Sequence, residues 1–120
     1  MGVDEHTEQK LFFQWCLRHA DEYEGLHRIF AIPNGGNIDA VRGRRLKEEG
    51  LRAGVPDMFL PHPIAPFGGL FIELKVRGGG IVSDAQKAWI SELTCAGYQC
   101  VVAKGFPEAK QAVENYYARA

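Results

Sequence analysis

Glu73 and Lys75 stand two residues apart in an apolar stretch, Phe71-Ile72-Glu73-Leu74-Lys75. On a strand, that spacing puts the carboxylate and the ammonium side by side on one face. Leu74 then points the other way, into a core, with Phe71 or Ile72 bracketing the pattern. A third group comes from the preceding segment. Asp57 opens the short apolar run Asp57–Leu60, and Pro61–Gly69, with three Pro and two Gly, reads as the loop of a hairpin. Pairing Pro61 with Leu70 places Asp57 opposite Leu74, between Glu73 and Lys75 and roughly 5–8 Å from each. A slip of one residue changes the face that Asp57 occupies. Two carboxylates are hard oxygen ligands suited to Mg2+ or Mn2+. A metal held there polarises a phosphodiester and lowers the pKa of a water, while Lys75 orients or helps to deprotonate the attacking water. Taken alone, a Glu-x-Lys pair is far more often a surface ion pair on an edge strand.

Several elements must position these groups. Leu11, Phe12, Trp15 and His19 recur at helical spacing and predict a helix from about Thr7 to Tyr23, capped by Asp4 or Thr7. His27–Ile32 predicts a short strand ended by the turn Pro33-Asn34-Gly35-Gly36. Ile38 to about Leu51 is a polar, basic helix, followed by the strand at Asp57–Leu60 and an alternating strand at Leu70–Val76. After a turn at Gly78-Gly79-Gly80, Ser83 or Asp84 caps a helix that runs to about Ala96 and stops at Gly97. Tyr98–Ala103 is a buried strand, and Pro107–Arg119 a closing helix with proline in its first turn. The order α-β-α-β-β-α-β-α implies an α/β fold, a mixed β-sheet flanked by helices, in one domain over residues 1–120.

Composition narrows the class. Of the 120 residues, 46% are hydrophobic and 24% charged, and the longest apolar runs fall far short of the roughly 20 residues of a membrane helix. The acidic, polar stretch Met1–Lys10 is unlike a signal peptide, so a cytoplasmic protein without membrane association is expected. Cys16, Cys95 and Cys100 lack paired C-x-x-C spacing and read as reduced core or near-core thiols. The histidines, His6, His19, His27 and His62, show no metal-binding spacing and read as surface or helix-flank residues. A net charge of −1 carries no general nucleic-acid signature, but Arg42, Arg44, Arg45, Lys47 and Arg52 cluster within eleven residues. Arg42, Arg44, Arg45 and Lys47 are candidate DNA-phosphate contacts, or else a solvated basic face. Asn34 and Gly35 lie in a turn whose backbone N–H groups could cradle a phosphate, or which is only a turn. Trp15 and Trp89 are expected in the core, and Phe67 exposed at the tip of the proline-rich loop.

The combination Gly54-Val55-Pro56-Asp57, Phe71-Ile72-Glu73-Leu74-Lys75, Ser83 and Gln86 resembles the PD-(D/E)xK nuclease superfamily, and within it the VRR-NUC branch. Ile32-Pro33-Asn34-Gly35-Gly36, the Leu46–Gly54 approach and Gly97-Tyr98 extend the likeness over nearly the whole chain. The resemblance implies a restriction-endonuclease-like core, phosphodiester hydrolysis, Mg2+ or Mn2+, and no organic cofactor. It carries over Asp57 and Glu73 as metal ligands, Lys75 as the catalytic lysine and Gln86 as support for the lysine or the water. It also implies a glutamate on the first helix, for which Glu5 (with Gln9) and Glu8 both qualify; Glu8 fits the apolar face better and is favoured as a further metal ligand. Stand-alone members resemble Holliday-junction resolvases, so a homodimeric endonuclease on branched DNA is expected. A catalytically silent DNA-binding or scaffold protein of the same fold is the alternative.

Overall fold

The computed structural model describes residues 4–33 and 39–120. Its first helix, α1 (Glu5–Arg18), starts where the Asp4 side chain accepts the Thr7 N–H at 2.7 Å. The predicted helix thus begins two residues early and ends five short of Tyr23. A single 3-10 turn, Leu26–Arg28, replaces the start of the predicted strand 27–32, of which only β1 (Phe30–Ala31) remains. The basic helix α2 (Ala40–Glu48) is capped by Asp39. Strands β2 (Met58–Leu60) and β3 (Leu70–Lys75) follow, then α3 (Asp84–Cys95), β4 (Gln99–Lys104) and α4 (Phe106–Tyr117). Among the described residues, no helix is long and apolar enough to cross a membrane.

The four strands form one mixed sheet in the order β1-β2-β3-β4, antiparallel except for the parallel β3–β4 pair. Alternation along β3 sorts the two faces. Leu70, Ile72 and Leu74 are fully buried and share the core with Met58, Leu60 and Ala103. From the helices, Phe12 and Trp15 of α1 and Ala109, Val113 and Tyr116 of α4 close that side. Truncating a fully buried large side chain of this group costs about 2–5 kcal/mol. On the opposite face Phe59 stacks on Phe71 at 4.2 Å, and Tyr98 meets Phe71 edge-on at 5.3 Å.

Several expectations are corrected by the packing. Leu11 is 38% exposed, because Phe12, Trp15 and Cys16 form the inward stripe instead. Trp89 is half-buried, since α3 buries none of its residues completely. Phe67 folds back against the core, 6.4 Å from Tyr116, with the Arg119 guanidinium over its ring. The proline-rich loop is held there by Tyr116, whose hydroxyl donates to the His62 carbonyl and accepts the Ile64 N–H. Cys16 is buried and Cys100 half-buried, but Cys95 is exposed.

Candidate metal and nuclease centre

The register of the hairpin decides the site. Leu60 pairs with Leu70 and Met58 with Ile72, one residue from the predicted Pro61–Leu70 pairing. Continued by one step, this register sets Asp57 opposite Glu73 instead of Leu74, so both carboxylates lie on the Phe59–Phe71 face. Strand β2 begins only after Asp57, so the β3 backbone loses its ladder partner there. The Asp57 carboxylate takes its place, accepting the Leu74 N–H at 2.7 Å. That bond fixes the side chain across the end of the sheet. Pro56 and Asp57 are both buried, and Gly54 (φ +92) lets the incoming loop press against the first turn of α3. A Cβ at Gly54 would lie 2.7 Å from the Ala85 backbone.

Glu73 is 2% exposed. Its Oε2 faces the Lys75 ammonium at 3.3 Å and accepts from Gln86 Nε2 at 2.9 Å. Lys75 Nζ also donates to Gln86 Oε1 at 2.9 Å. Glu73 Oε1 is buried and has no hydrogen-bond partner. Burial first, and then the Asp57 charge beside it, pushes the Glu73 carboxyl up to about 8. Burial also raises Asp57, against the Leu74 N–H, the neighbouring Glu73 carboxyl and Lys75, which hold it down. An orphaned carboxylate oxygen next to a second buried carboxylate is a costly arrangement for a protein by itself. It suits a divalent cation, whose charge would offset both penalties; Mg2+ in particular uses one or two carboxylates and keeps several waters.

The first helix contributes two glutamates with different surroundings. Glu8 is fully buried and doubly bonded to Arg77, at 2.7 and 2.8 Å. It also accepts the Phe106 N–H at 3.2 Å. Gly105, the N-cap of α4, provides no side-chain cap, so Glu8 satisfies that helix end from across the chain. The Arg77 guanidinium holds the Glu8 carboxyl below its ordinary range. Glu5 is half-buried; burial raises its carboxyl, and Asp57 raises it further while Lys75 lowers it. The field of the site therefore reaches Glu5, whereas Glu8 is occupied by Arg77 and α4. Among the described residues, no three acidic, histidine or cysteine side chains meet as a ready metal cluster.

Arg42, Arg44, Arg45 and Lys47 are all exposed on α2, which buries none of its residues. Asn34 and Gly35 lie outside the described residues. One contributor escaped the sequence reading: Arg77, the partner of Glu8, which has no local signature. Ser83, expected there as a helix cap, forms both reciprocal bonds of a capping box with Gln86.

The family model of the VRR-NUC domain matches residues 3–107. A solved structure described as a VRR_NUC domain protein superposes with a TM-score of 0.85 at 25% identity, covering 100% of this chain and 93% of that one. No curated protein matches the sequence.

Proposed function

The chain belongs to the VRR-NUC family, and from that premise we propose that it is an endonuclease that hydrolyses DNA phosphodiesters with Mg2+ or Mn2+. The observation that carries this reading is the buried, unpartnered Glu73 Oε1 beside Asp57, with Lys75 on the other Glu73 oxygen. Asp57 and Glu73 would hold the cation, and Glu5, whose carboxyl feels both Asp57 and Lys75, is assigned as the helix-1 acid in preference to Glu8. A cation held there would offset negative charge on the scissile phosphate and acidify a water. Lys75 orients that water and offsets phosphate charge, and Gln86 keeps the lysine and Glu73 in fixed relation. The exposed Arg42, Arg44, Arg45 and Lys47 of α2 would grip backbone phosphates, which gives affinity without reading sequence.

Branched DNA is the proposed substrate, cut by a symmetric homodimer, because incision of two strands calls for two such centres. The test incubates purified protein with labelled four-way junctions, flaps and linear duplex in Mg2+ or Mn2+, beside Lys75→Ala. Metal-dependent incision of a branched substrate, lost in the variant, is expected. Binding without any cut product would favour the silent scaffold, and undiminished cutting by Lys75→Ala would remove the assigned chemistry.

A further inference from the structure

The Gln86 carboxamide has three partners, and they accept only one orientation of it. Its Oε1 receives two donors, Lys75 Nζ at 2.9 Å and the Ser83 backbone N–H at 2.8 Å. Its Nε2 donates to Glu73 Oε2 at 2.9 Å. Turned over, the amide would set its NH2 against two donors and its oxygen against a carboxylate. Two of the three partners, Lys75 and Glu73, belong to the reacting site, and their surroundings change when cation and phosphate arrive. The backbone N–H of Ser83 offers one proton in one direction whatever is bound.

We propose that Ser83 is a positioning residue of this centre, whose backbone N–H locks the Gln86 carboxamide in the orientation that serves Lys75 and Glu73 together. The inference rests on the nuclease reading for its consequence and on the hydrogen-bond geometry for its substance. Ser83 is itself held by the reciprocal half of the capping box, its Oγ accepting the Gln86 N–H at 3.2 Å. The turn leading to it is pressed against the lysine as well. A Cβ at Gly80 would lie 2.6 Å from Lys75 Cβ, so the chain crosses the lysine stem before it reaches Ser83. Stem and head of Lys75 are thus both held by the segment that starts α3. A capping box ordinarily serves only its own helix. Here its glutamine also faces the site, so the helix cap and the reacting groups share one amide.

The test uses the full chain and separates the N–H from the hydroxyl. Ser83→Ala removes Oγ and keeps the N–H. Ser83→Pro removes both, at a backbone φ of −72° that proline adopts. In metal-free protein the Gln86 side-chain NH2 resonances, identified by their loss in Gln86→Ala, are expected to stay shifted from free glutamine in Ser83→Ala and to collapse towards it in Ser83→Pro. Amide exchange gives a second reading that needs no proline: the Ser83 N–H is expected to exchange slowly in the parent and fast in Gln86→Ala. In Mg2+, Ser83→Pro should cut about 10–100-fold more slowly than Ser83→Ala, the usual loss on removing a supporting partner. That difference should vanish in a Gln86→Ala background. A Ser83 amide that exchanges freely in the parent, or a proline effect equal in both backgrounds, would overturn the proposal. A protein that cuts no DNA at all but shows the expected spectra would retire the nuclease reading and leave the clamp standing.

Discussion

Replacing Glu73 by Gln should make the cation-free protein more stable while destroying the proposed activity. Burial and Asp57 lift the Glu73 carboxyl to about 8 from an ordinary 4.5. Between those values the folded chain holds a proton that the unfolded chain has released, so stability falls as the pH rises through the window. The slope is at most about 1.4 kcal/mol per pH unit, and above the folded value it levels off because both states are ionised. Across the window from 4.5 to about 8 the ceiling is about 5 kcal/mol, which the coupling to Asp57 and Lys75 reduces. Asp57, also raised by burial, adds a decline of the same sign that the variant retains. Glu73→Gln keeps the volume and an oxygen for Gln86 and Lys75 but cannot ionise. Urea midpoints measured in chelator from about pH 5 to 9, at constant m-value, should therefore diverge in favour of the variant as the pH rises. Saturating Mg2+ or Mn2+ should flatten the decline of the parent, because a cation binds the ionised pair and stabilises the folded state by mass action. A parent curve no steeper than that of Glu73→Gln in chelator would refute the reasoning, since Glu73 would then carry no uncompensated burial.

The two glutamates of α1 should separate cleanly. Glu8→Gln takes the carboxylate from half-exposed Arg77 and from the Phe106 N–H, and should lower the urea midpoint at neutral pH by more than Glu5→Gln does. Glu5→Gln should leave the unfolding midpoint within about 0.5 kcal/mol while weakening Mn2+ affinity measured by calorimetry. Gly80→Ala drives a methyl into the Lys75 stem and should reduce cleavage with little change in DNA affinity by fluorescence anisotropy. Removing positive charge at Arg42, Arg44, Arg45 and Lys47 should lower the slope of log affinity against log salt by about 0.9 for each phosphate that is no longer neutralised. An unchanged slope would return α2 to the role of a solvated helix.

The groups of the centre were legible in the sequence because strand alternation is local: Glu73 and Lys75 share a face wherever Leu74 is buried. The glycine and proline punctuation likewise marked the hairpin loop, the turn after β3 and the order of elements. Register was beyond its reach. A hairpin with a nine-residue loop can pair in several ways, and burial of Met58 and Leu60 against α1 and α4 selects the pairing that sets Asp57 opposite Glu73. Between Glu5 and Glu8, local reasoning favoured Glu8 for its fit to the apolar face, but the choice does not rest on helix register. It turns on Arg77 and the end of α4, which lie 69 and 98 residues from Glu8 in the chain. Residue type and periodicity thus determined which charged side chains share a face of the sheet. Which of them meet, and which are taken up in holding the fold, depended on long-range packing that no local pattern encodes.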